Sequence, residues 1–73
     1  MWTDPATLSN DKLVGLAIQR ARVRLDDGRI ALLVKWPSGM TRRWRHEKNV
    51  RLESGRGNRF TVAVKAIEAV EVP

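Results

Sequence analysis

The chain has no cysteine and no tyrosine, one histidine, one phenylalanine and three prolines in 73 residues. Without cysteine there is neither a disulfide nor a thiolate metal site, and the protein suits a reducing compartment such as the cytoplasm. A lone histidine, His46, with scattered carboxylates makes no closed metal site. His46 and the adjacent Glu47 do not form a hydrolytic dyad, and no serine sits in a nucleophile context. The composition therefore argues against an enzyme, and no cofactor is expected. Gly55 and Gly57 lack the following helix that a phosphate loop must open, so Ser54–Asn58 reads as a hairpin turn. No apolar run approaches the roughly 20 residues that span a bilayer, and the first residues show neither a basic nor an apolar leader segment.

What the chain has in excess is positive charge, +6 with a pI of about 11.2. Residues 1–34 hold five basic and four acidic side chains, and residues 60–73 net −1. The middle, 35–59, holds eight basic residues against Glu47 and Glu53. Such a balance favours anionic partners, whether nucleic acid, an anionic membrane or an acidic protein surface. Arginine outnumbers lysine ten to four; bidentate phosphate binding accounts for that bias, and so does a GC-rich genome.

The size allows one small domain. Residues 1–12, with the Asp4-Pro5 breaker, read as a flexible arm, and 13–73 as a single domain. Ser9 or Asn10 is a possible cap for a short helical turn near 9–15. Ala21, Val23 and Leu25 alternate with Arg20, Arg22 and Arg24, which predicts a first strand over about 17–25. Asp27-Gly28 is a type I′ hairpin signal, and folding there pairs Leu25 with Ile30, Val23 with Leu32 and Ala21 with Val34. A second strand then covers about 29–36, with Ile30, Leu32, Val34 and Trp36 inward. Pro37-Ser38-Gly39 is a turn leading to a strand over about 40–45. Val50 and Leu52 bracket Arg51 in a short strand. Phe60, Val62 and Val64 alternate in another. A turn at 65–67 precedes a last strand ending at Val72. Five or six short antiparallel strands of this kind leave fewer exposed edges when the sheet closes on itself. The expected class is all-β, a small barrel.

The segments VRLDDGRIALLVKW, VKWPSGMTRRWR and FTVAVKAIEAVEV resemble the successive hairpins and closing strand of SH3-like small barrels of the Tudor, KOW and Mib kinds. The short helical segment and VKAIEAV are more weakly similar to Sm-like RNA-binding proteins. The resemblance covers about residues 17–72. It implies a binding module, since such barrels take nucleic acids or proteins.

The candidate nucleic-acid-binding residues are Arg42, Arg43, Trp44, Arg45, Lys48, Arg51, Arg56 and Arg59. Three arginines within 42–45 repel one another with only Glu47 near, an arrangement that a phosphate backbone rewards and a free surface does not. Trp44 is either a core residue or an exposed platform on which an unpaired base stacks. Trp36 is expected in the core. Trp2 is either disordered or tucked over a barrel end. Arg20, Arg22 and Arg24 read as a solvated face. The expected function is a non-enzymatic module that grips DNA or RNA through a basic, tryptophan-containing hairpin at about 35–51. The alternative is docking on an acidic protein, with oligomerisation through sheet edges a further possibility. Size and composition suit a small regulatory protein of a bacterium or phage.

Overall fold

A computed structural model describes residues 1–37 and 48–73. They form β1 (Trp2–Thr3), a 3₁₀ turn (Pro5–Thr7), α1 (Asn10–Ile18), β2 (Arg22–Leu25), β3 (Ile30–Lys35), β4 (Asn49–Glu53), β5 (Arg59–Ala63), a second 3₁₀ turn (Val64–Ala66) and β6 (Ile67–Glu71). The six strands make one antiparallel sheet in the order β1-β6-β2-β3-β4-β5. The class is all-β with one short helix, as the sequence predicts. The expected strand over 40–45 and the pairing of Trp36 with Met40 lie outside the described residues.

The order forces the sheet to curl. β5 and β6 stand four places apart, about 19 Å in a flat sheet at the usual strand spacing of about 4.8 Å. The chain passes from one to the other through Val64–Ala66 alone, about 8 Å of rise in a 3₁₀ turn. β5 and β6 must therefore approach each other. The turn is anchored at both ends: the Val64 N–H donates to the Lys48 carbonyl at 2.9 Å, and its Ala66 carbonyl accepts from the Asp26 N–H at 2.9 Å. Inside the curl lies one core built from Leu13, Leu16 and Ala17 of α1 and Val23, Leu25, Ala31, Leu33, Trp36, Val50, Leu52, Val64, Ile67 and Val70.

The first hairpin differs from the expectation by one residue. Val23 faces Ala31 and Arg22 faces Leu32, so Leu25, Val23 and Ala21 do not meet Ile30, Leu32 and Val34. Leu33 is 0% exposed and Ile30 47%. The reason is the turn. A type I′ turn needs positive φ at both central residues, and Arg20 alone among the described non-glycine residues has it. Leu25 and Gly28 instead close a turn over Asp26 and Asp27, with Gly28 N–H to Leu25 carbonyl at 2.9 Å, and Gly28 (φ 91) alone takes the left-handed conformation. The Arg29 backbone N–H, together with the Arg29 guanidinium, holds the Asp27 carboxyl below its ordinary value of 3.8. That contribution to the turn is complete above the ordinary value and lost as pH falls through the lowered one. The β4–β5 hairpin repeats the device at Ser54–Asn58, with Gly57 N–H to Ser54 carbonyl and Gly57 at φ 84.

The helix is longer than expected and the strand after it shorter. Ser9 caps it by accepting from the Lys12 N–H at 3.1 Å. At the other end the Ala21 N–H reaches the Leu16 carbonyl and the Arg20 N–H the Ala17 carbonyl, a Schellman closure whose left-handed position usually carries glycine. Here Arg20 occupies it at φ 56. With no glycine to mark the stop, the alternation of Ala21, Val23 and Leu25 extends the apparent strand backwards over residues that are helical. Residues 1–12, expected as an arm, carry β1 paired with β6, the buried Pro5 and the start of α1.

A bulge interrupts β3. Leu33 faces Leu52 and Lys35 faces Arg51, which leaves Val34 as an extra residue. Its carbonyl accepts from the Arg20 guanidinium at 2.7 Å. The bulge turns Lys35 outward and sends Trp36, 3% exposed, into the core. Trp36 is thus a core residue, as expected, but on the face of Ala31 and Leu33 rather than of Ile30 and Leu32.

Two stability measurements follow from this geometry. Leu33→Ala is expected to cost about 2–5 kcal/mol in chemical denaturation, whereas Ile30→Ala costs well under about 1 kcal/mol. The register predicted from the sequence gives the opposite ranking. Arg20→Ala is expected to destabilise by about 1 kcal/mol through the lost carbonyl contact. Arg20→Gly loses the same contact but relieves the left-handed backbone, and is expected to be more stable than Arg20→Ala by about 1 kcal/mol.

Candidate nucleic-acid interface

Alternation along β2, β3, β4, β5 and β6 sends one set of side chains into the curl and the other outward. The outward face divides into a charge-balanced region and a positive one.

The first lies over β1, β6 and β2. Arg22 pairs with Glu71, and Arg24 with Glu68 at 3.1 Å. Both guanidinium groups also stand over the Trp2 ring, at 6.0 and 5.1 Å from its centre, which adds cation–π attraction. Trp2 reaches them because β1 adds to the β6 edge, with Trp2 opposite Glu71. Each exposed ion pair contributes little to stability. Together they cancel the positive charge of this face. Arg20, the third member of the set, is engaged with the Val34 carbonyl.

The second region lies over β3, β4 and β5. Lys35 faces Arg51, and Arg51 faces Thr61, so the three side chains form a row across adjacent strands. With Asn49, two residues before Arg51 on the same face, and Pro37, they line a groove of about 330 Å³. Among the described residues no acidic side chain lines it, and neither Lys35 nor Arg51 has an ion pair there. Like charges directly opposite on neighbouring strands repel. The free protein retains that cost, and a bound anion removes it.

The candidate residues from the sequence separate accordingly. Arg51 is in the groove. Lys48 is exposed next to Asn49, with its carbonyl engaged by Val64. Arg56 sits in the β4–β5 turn, exposed, its backbone N–H donating to Ser54 Oγ at 3.3 Å. Arg59 is opposite Glu53 and 3.7 Å from its carboxylate, so its charge is partly answered. Arg42, Arg43, Trp44 and Arg45 lie outside the described residues, as does His46.

Lys35, Asn49 and Thr61 were not singled out by the sequence. Lys35 meets Arg51 only because of the bulge at Val34, and neutral residues such as Asn49 and Thr61 carry no compositional signal. Among the described residues no group of three His, Cys, Asp or Glu side chains is placed to hold a metal ion, and no helix is long and apolar enough to cross a membrane. Comparison with protein-family models, curated proteins and solved structures finds no match to this chain.

Proposed function

We propose that the protein is a non-enzymatic nucleic-acid-binding module on an SH3-like barrel. The strand order with β2 between β3 and β6, the curl imposed by Val64–Ala66 and the helix before β2 support the barrel reading. The observation that carries the function is the segregation of charge. The arginines of β2 are neutralised by Glu68 and Glu71, whereas Lys35 and Arg51 face each other and neither has an ion pair among the described residues. Lys48 is exposed beside Asn49, and the sequence between the two strands carries Arg42, Arg43 and Arg45.

Phosphate contacts from these cations supply affinity by releasing counterions, and they position rather than specify. The absence of cysteine fits a cytoplasmic protein handling cellular or phage nucleic acid. A second reading is docking on an acidic protein. It is favoured by β5, which ends the sheet order and contributes Thr61 to the same groove, so that a partner strand added there meets the cations as well.

The test compares two double variants with equal loss of charge. Lys35→Ala with Arg51→Ala is expected to weaken binding to a fluorescent oligonucleotide strongly and to lower the slope of log K against log salt by about 1.5. Arg22→Ala with Arg24→Ala is expected to change both far less. Equal losses would reduce the interaction to general cationic attraction. Absence of binding by the unaltered protein at low salt would favour the acidic-protein reading.

A further inference from the structure

The groove holds more than two cations. A site for phosphate alone needs only charge and N–H donors. This one has a volume of about 330 Å³, at the small end of clefts that enclose an organic ligand. Its walls are mixed. Lys35 and Arg51 stand side by side on β3 and β4. Asn49 and Thr61 bring neutral groups that both donate and accept hydrogen bonds. Pro37, half-buried where β3 ends, brings an apolar ring. Cations, neutral hydrogen-bonding groups and an apolar wall in one small concavity match the three chemical parts of a nucleotide: phosphate, sugar or base edge, and ring face.

We infer that the groove is a subsite for one nucleotide of a single-stranded nucleic acid, with its phosphate between Lys35 and Arg51 and its sugar or base against Asn49, Thr61 and Pro37. The inference rests on the nucleic-acid reading above and sharpens it. In a duplex the bases are stacked and paired, so an intact double helix offers the groove its phosphates and sugars but no unpaired base for Asn49, Thr61 and Pro37 to contact. A single strand can splay one unit into the concavity at little cost.

The neutral residues make the test decisive, because their removal leaves the protein's field unchanged. Both are exposed on the outer face, and Thr61→Val keeps the branched shape that suits a strand. The full chain and the variants Asn49→Ala and Thr61→Val are titrated with fluorescent oligothymidylate, oligouridylate and a mixed-sequence duplex of the same length at one salt concentration. Folding of each variant is checked by its melting temperature. The expected result is tighter binding of the single strands than of the duplex. Each variant should lower single-strand affinity by about three- to tenfold, the worth of one hydrogen bond, with duplex affinity unchanged. Duplex binding as tight as single-strand binding, or single-strand affinity indifferent to both variants, would overturn the subsite while leaving nucleic-acid binding in place. Failure of all three probes to bind the unaltered protein would overturn both.

Discussion

The bulge at Val34 is the feature on which the arrangement of this protein turns. If the pairing of Leu33 with Leu52 continued without it, Val34 would face Arg51, Lys35 would face the fully buried Val50 and Trp36 would face Asn49 on the outside. A lysine would then enter the core, which costs several kcal/mol, and the largest apolar side chain of the strand would leave it. One extra residue exchanges the two. The carbonyl that the bulge frees is answered by Arg20, which reaches it from a left-handed position at the end of α1. A helix terminus, a core tryptophan and an exposed lysine are thus coupled through one irregularity, and bulges are often found where a side chain must be re-aimed.

The curl of the sheet supplies the second constraint. Because Val64–Ala66 is too short to cross a flat sheet, β6 returns beside β2 and brings Glu68 and Glu71 next to Arg24 and Arg22. Topology therefore neutralises the arginines of β2, whereas Lys35 and Arg51 have no ion pair among the described residues. The contrast is not visible in the charge count, where Arg22 and Arg24 look as available as Lys35 and Arg51. The groove over β3, β4 and β5 gains its character as much from where the acids go as from where the bases are.

Much of the fold was legible in local sequence. The alternations around Val50 and Leu52, around Phe60 and Val62, and towards Val70 correspond to β4, β5 and β6, and the glycine-containing turns were recognised at both hairpins. The errors came from rules with a competing physical solution. Asp27-Gly28 signals a two-residue turn, but a turn that loads the left-handed conformation on Gly28 alone avoids strain at Asp27, and it shifts the register by one. The end of α1 was hidden because an arginine stands where a glycine would signal the stop. Of the candidate site, Arg51 was evident as a charge between two core residues. Its neighbour Lys35 required the bulge, and the pairing of Arg59 with Glu53 required the register of the second hairpin. These depend on contacts distant in sequence, which local alternation does not encode.

In the proposed function the outer face of β3, β4 and β5 is the binding surface, whereas on the outer face of β2 and β6 Arg22 and Arg24 are paired with Glu71 and Glu68. Chemical-shift mapping of the isotopically labelled protein during titration with a single-stranded oligonucleotide tests this most directly. The expected result is a cluster of perturbed amides at Lys35, Asn49, Arg51 and Thr61, with Arg22, Arg24, Glu68 and Glu71 unmoved. Perturbations centred on Trp2 and the β2 arginines, or spread evenly over all basic residues, would contradict it.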